Sequence, residues 1–168
     1  MKNSKAQKLT FLALSTAFAL VLSYIEFLLP PIFAAVPGIK LGLANIATVF
    51  LLYRFGVKDA ATVALLRVAL SSMLFGNPMI FLYSIVGAAL SILVMSLLKK
   101  TDFLSTVGVS TAGGVAHNVG QIIVAMIMLD TAEIGYYMII LAVTGTVSGI
   151  FVGLLSGFLL RRLKLERL

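Results

Sequence analysis

The chain has 168 residues, of which 61% are hydrophobic and 11% charged, and its mean hydropathy is +1.12. So apolar a chain cannot cover itself with polar surface, which excludes an ordinary soluble globule and puts it in the membrane class. The absence of cysteine excludes disulfides, thiolate catalysis, iron-sulfur clusters and a cysteine zinc site.

Proline, glycine and charge divide the chain into six predicted membrane spans, at about 9–29, 41–55, 59–76, 77–98, 105–129 and 135–160, forming one all-α bundle and a single transmembrane domain over 1–168. The first, from Leu9 to Leu29, is too long for a cleaved signal segment and reads as an anchor. It carries two small-residue faces, Ala13 with Ala17, and Ser15 with Ala19 and Ser23, so it can pack inward on one side and meet a second protein on the other.

The second span is short, about 22 Å at 1.5 Å per residue against a hydrocarbon core of roughly 30 Å. The preceding stretch PPIFAAVPGIKLGLAN, residues 30–45, is apolar but broken by proline and glycine. Non-helical backbone at membrane depth needs protein or a wet cavity around it, so the stretch is expected to dip inward as a lid carrying Lys40; a loop wetted by lipid headgroups is the alternative.

Ionisable and amide groups inside spans are costly and usually face a cavity or a partner charge. Arg67 lies about nine residues, roughly 13 Å, from the outer end of the third span. On the fifth span, in GGVAHNVGQIIVAM, the only histidine, His117, stands one turn from Gln121 on the same face, while Asn118 points about 100° away toward a neighbouring helix. Glu26, Lys40, Asn45 and Asn77 also fall in the outer half, and the inner half holds only hydroxyls. The expectation is a substrate-binding chamber in the outer half, formed by Arg67, His117, Gln121, Asn45, Lys40, Glu26 and Asn77; the alternative is a closed network in which Arg67 and Glu26 neutralise each other. In the last span Gly145, Gly149, Gly153 and Gly157 recur every four residues, a ridge suited to close helix packing either within the chain or against a partner.

The formal charge of +7 reports orientation. Lys2, Lys5, Lys8, Arg54, Lys58, Lys99, Lys100, Arg161, Arg162, Lys164 and Arg167 flank the spans on one face, and the opposite loops hold Lys40 with Asp130 and Glu133. By the positive-inside rule both termini are cytoplasmic and the chain is a multi-pass protein of the cytoplasmic membrane. These cations sit at helix ends, where anionic headgroups of the bilayer are the ordinary partner, so no nucleic acid is implied. No phosphate-binding P-loop, no paired aspartates for magnesium, no zinc-protease motif and no nucleophile elbow occur, so the chain is not expected to be an enzyme or to hold a metal or cofactor of its own. A small bundle without an energy module suggests a subunit that captures a small-molecule substrate and works with partners.

The segments PGIKLGLAN, LLRVALSSMLFGNP and GVSTAGGVAHNVGQ resemble the signature segments of the Gx transporter family, also described as heptaprenyl diphosphate synthase component I. That family is similar to the substrate-binding S components of energy-coupling factor (ECF) transporters, which have six helices, a ligand site toward the outer face and no ATPase. The resemblance implies that Ala13 and Ala17 match the small-residue pattern that meets the transmembrane coupling subunit, with ATPases beyond it. It leaves three functions open: capture and transport of a small, anionic or mixed-charge, vitamin-like or isoprenoid-related molecule; an accessory role in polyprenyl diphosphate synthesis; and a part in flavin-based extracellular electron transfer, handling a quinone or flavin with an extracytoplasmic flavin protein.

Overall fold

The computed structural model describes residues 2–29 and 42–163. Among them it is all-helical: α1 (Lys2–Leu28), α2 (Asn45–Arg54), α3 (Val57–Phe75), α4 (Pro78–Lys100), α5 (Thr106–Leu129) and α6 (Met138–Arg162), with a 3-10 turn at Ala132–Tyr137 leading into α6. Four segments, Lys5–Leu28, Pro78–Lys100, Thr106–Leu129 and Gly135–Arg162, are long and apolar enough to cross a membrane. Most of the expected inward-dipping stretch, with Lys40, lies outside the described residues.

Local chemistry sets the helix ends. At the start of α4, Asn77 Oδ1 accepts from Ile80 N at 2.8 Å, and Pro78 follows at a position where its missing N–H costs nothing. Ser105 caps α5 in the same way through Gly108 N at 3.3 Å. Between α2 and α3 the chain reverses in two residues, Phe55 and Gly56, and Gly56 adopts φ +106°, which a side chain disfavours. The predicted second span begins later than expected, at Asn45. Gly42 is left-handed at φ +71°, and a turn closed by Asn45 N to Gly42 O (2.9 Å) and Ile46 N to Leu43 O (3.1 Å) precedes the helix.

α2 is the axis of the bundle. Its residues Ile46 to Leu52 are all buried, as expected of a helix apolar on every side. The other helices surround it: α1 packs on α2 and α3, α3 on α4, α4 on α5, α5 on α6, and α6 returns to α2. Ten residues of helix cover only about 15 Å, so α2 occupies one half of the bundle's length. In that half Val49, Phe50, Leu51 and Leu52 meet Val63, Met95, Val109 and Val152 in one apolar core, edged by Phe11 and Leu159. This end also carries Arg54, Lys58, Lys99, Lys100, Arg161 and Arg162. Lys99 Nζ donates to Leu52 O at 2.6 Å and satisfies a carbonyl at the end of α2, while Lys8 and Asp59 tie α1 to α3 at 2.9 Å.

The glycine ridge of α6 packs within the chain, against α5. A Cβ at Gly145 would lie 2.9 Å from Gly114 O, one at Gly149 would lie 2.6 Å from Thr111 Cα, and one at Gly153 would lie 2.7 Å from Val107 Cα. The fourth glycine departs from the expected ridge, because a Cβ at Gly157 has nothing within 4 Å. α5 begins at Thr106, beside Gly153, so Gly157 lies one turn past the end of its partner helix. Sequence spacing showed one side of this contact; the other side includes Gly114 on α5, whose Cβ would meet Gly145 O at 2.5 Å.

Candidate functional site

Where α2 stops, the bundle is hollow. A cavity of about 250 Å³ is lined by residues from all six helices, at the end opposite the basic cluster. Glu26 comes from α1, Asn45 from the start of α2, Arg67 from α3, Tyr83 from α4, His117 and Gln121 from α5, and Ser148 from α6.

Of the seven residues expected to form the chamber, Arg67, His117, Gln121, Asn45 and Glu26 line this one cavity. Asn77 does not. It is exposed, and its side-chain oxygen is used by the cap of α4. A Ser/Thr/Asp/Asn residue directly before Pro and an apolar run is a helix-start pattern, and that local use took precedence over a role in the chamber. Lys40 lies outside the described residues.

Arg67 is held by Asn45. Its Nη2 donates to Asn45 Oδ1 at 3.1 Å, joining the middle of α3 to the first turn of α2, and the charges of Arg67 and Glu26 act on each other. Arg67 Nε is buried without a hydrogen-bond partner. Glu26, 9% exposed, accepts from Leu43 N at 2.8 Å and thereby fixes the backbone just before α2 to the end of α1. A carboxylate that accepts a backbone N–H and faces a guanidinium is an arrangement in which a buried charge is tolerated.

His117 and Gln121 share one face of α5, as their spacing of four requires, and α4 makes room for them with Gly87. A Cβ at Gly87 would lie 2.8 Å from His117 O and 3.1 Å from both His117 Cε1 and Gln121 Cγ. Asn118 turns aside as expected: its Nδ2 donates to Leu141 O on α6 at 2.6 Å, at the edge of the cavity.

Sequence reasoning missed the hydroxyls and rings of the wall. Ser23, Ser71, Ser84, Tyr83, Phe27 and Phe75 line the cavity, and the Phe27 and Phe75 ring centroids are 5.3 Å apart. In an apolar span a serine or phenylalanine carries no position-specific signal. Ser23 alone stood out, as part of the second small-residue face of α1. That face packs inward, with Ala19 1% and Ser23 4% exposed, whereas Ala13 and Ala17 remain exposed. Among the described residues no group of three or more His, Cys, Asp or Glu side chains could hold a metal ion.

The sequence profile of the family described as heptaprenyl diphosphate synthase component I matches residues 15–159, a range that contains every cavity residue named above. No curated protein and no solved structure matches the chain. With nearly the whole bundle inside that profile, the chain is a member of the heptaprenyl diphosphate synthase component I family, the family that its three motifs resemble.

Proposed function

We propose that the chain is a substrate-capturing membrane subunit that takes up a small molecule in the cavity beside Arg67 and passes it across the cytoplasmic membrane with partner subunits. The observation that carries this reading is the division of the bundle into a filled basic half and a hollow polar half. The positive-inside rule turns the hollow half outward, with six segments crossing and both termini in the cytoplasm. A concave site with apolar walls and a few convergent polar groups is what a small-molecule pocket requires. A guanidinium at membrane depth is costly unless function or a counter-charge retains it.

The same reading assigns α1 to the partner. Ala13 and Ala17 lie one turn apart and are exposed, and a small-residue face lets another helix approach closely. A transmembrane coupling subunit with its ATPases fits there, because this sequence contains no phosphate-binding loop.

The test is native mass spectrometry of the full chain released from lipid nanodiscs. The wild-type chain should retain a small molecule that Arg67→Ala loses. Equal retention by both would remove Arg67 from the site, and a wild-type chain that never retains one would remove the capture reading.

The family description supports a second reading, an accessory subunit of heptaprenyl diphosphate synthesis. The sequence lacks closely paired aspartates to hold magnesium against a diphosphate, so this reading requires a separate catalytic subunit. Adding the chain to that subunit in vesicles should raise its rate, and an unchanged rate would dismiss the reading.

A further inference from the structure

We infer that the cavity takes a small uncharged ring compound with an amide edge, whose N–H donor and carbonyl acceptor both pair with the side-chain amide of Gln121. This rests on the capture reading and names the substrate class of the same site.

The charges of the wall come first. Arg67 and Glu26 act on each other and are also held by the chain itself, Arg67 through Asn45 Oδ1 at 3.1 Å and Glu26 through Leu43 N at 2.8 Å. His117 is engaged as well. Among the described lining residues there is no other Arg or Glu and no Lys or Asp, so the wall presents no net charge from these groups. A ligand charge of either sign would lose its hydration here and find its opposite already committed.

Hydrogen bonding decides the rest. Several polar side chains of the wall already use a donor within the chain: Ser71 Oγ donates to Val68 O at 3.1 Å, Asn118 Nδ2 to Leu141 O at 2.6 Å, and Ser148 Oγ to Gly145 O at 3.3 Å. Gln121, Ser84 and Tyr83 differ. Among the described residues their side chains make no hydrogen bond, and each lines the cavity while partly exposed. None of the buried atoms that lack partners belongs to them, so their polar ends are open to a ligand.

Gln121 and Ser84 flank one spot. Gln121 Cγ lies 3.1 Å from where a Cβ at Gly87 would stand, and Ser84 precedes Gly87 by three residues on the same face of α4. A side-chain amide offers two N–H donors and a carbonyl acceptor in one plane, and the group that meets both functions side by side is another amide. A carboxylate brings only acceptors and an amidinium only donors, so either leaves half of the Gln121 amide unmet.

The walls set the body of the ligand. The Phe27 and Phe75 ring centroids are 5.3 Å apart and Ile80 lies on the same wall, an apolar surface suited to a flat ring. The volume, about 250 Å³, lies below the roughly 300–1,000 Å³ of sites for drug-sized ligands and leaves no room for a long isoprenoid chain.

The experiment is equilibrium dialysis of radiolabelled benzamide, benzoate and benzamidine against the full chain in nanodiscs, with uptake by empty nanodiscs subtracted. The three probes share one ring and nearly one shape, and at neutral pH they carry an amide, a carboxylate and an amidinium. Benzamide should bind roughly tenfold or more tightly than either charged probe. Gln121→Leu removes both hydrogen-bonding functions and should weaken benzamide about tenfold. Gln121→Glu, nearly isosteric, should reverse the ranking so that benzamidine leads, which a merely structural glutamine would not do. If Gln121→Leu does not fold, Gln121→Glu decides.

Benzoate or benzamidine binding the wild-type chain as tightly as benzamide would overturn the assignment. So would unchanged benzamide binding by Gln121→Leu, an unchanged ranking in Gln121→Glu, or failure of all three probes to bind. In each case the capture reading still stands if native mass spectrometry finds another molecule retained by the wild-type chain and lost from Arg67→Ala.

Discussion

Asn45 accepts a hydrogen bond from Arg67 at 3.1 Å, and this one contact joins the first turn of the central helix to the guanidinium in the cavity wall. Asn45→Ala removes an acceptor from a charged donor, so we expect it to lower stability by about 1–3 kcal/mol and to weaken small-molecule retention as well. Thermal unfolding in detergent together with native mass spectrometry checks both. Loss of retention at unchanged stability would instead mean that Asn45 itself touches the ligand.

Gly87 tests whether His117 and Gln121 belong to the site. A methyl group at this position would press on the His117 carbonyl at 2.8 Å and on both side chains at 3.1 Å. Gly87→Ala should separate α4 from α5, cost about 1–3 kcal/mol by overpacking and reduce retention of the bound molecule. Unaltered retention would leave His117 and Gln121 as parts of the wall only.

The glycines of α6 give a graded comparison. Gly149→Ala places a Cβ 2.6 Å from Thr111 Cα, a backbone atom that cannot move aside, whereas Gly157→Ala meets nothing within 4 Å. The first should lower the unfolding temperature, and the second should leave it unchanged or raise it through the better helix propensity of alanine. Equal destabilisation by the two would point to a partner chain seated on Gly157.

Lys99 caps the buried end of α2 through Leu52 O at 2.6 Å and lies over the Tyr53 ring at 5.1 Å. Lys99→Met keeps the aliphatic stem but leaves that carbonyl without its donor, so a loss of about 1–3 kcal/mol is expected, with little change in small-molecule binding because the cavity is at the other end. A large change in binding would show that the two halves of the bundle are coupled.

The flavin and quinone reading is separable by colour. If the chain captures a colourless small molecule, its absorbance spectrum after purification should contain protein bands alone. A flavin or quinone band in a stoichiometric amount would favour electron transfer instead.

How much of this was readable beforehand follows from the cost of each group in lipid. Arg67, Glu26, His117 and Gln121 could be singled out in the sequence because a charge or an amide in an apolar span needs a reason, and they do line one cavity. Asn77 belonged to the same set but serves a helix cap, a competing local use of the same side chain. Ser71, Ser84, Phe27, Phe75 and Tyr83 escaped notice because hydroxyls and rings are ordinary inside spans and their direction depends on how the helices are rotated.

By itself the sequence determined the solvent, the helical class, the approximate helix ends, and the separation of basic residues from buried polar ones, since each depends on local composition or on a spacing along one helix. Only the tertiary structure decided that α2 lies at the centre and stops halfway, that Gly145, Gly149 and Gly153 face α5 while Gly157 faces nothing, and that polar groups distant in sequence share one space. Those outcomes depend on the relative rotation and depth of six helices, which follow from how their surfaces interlock and not from any single stretch of chain.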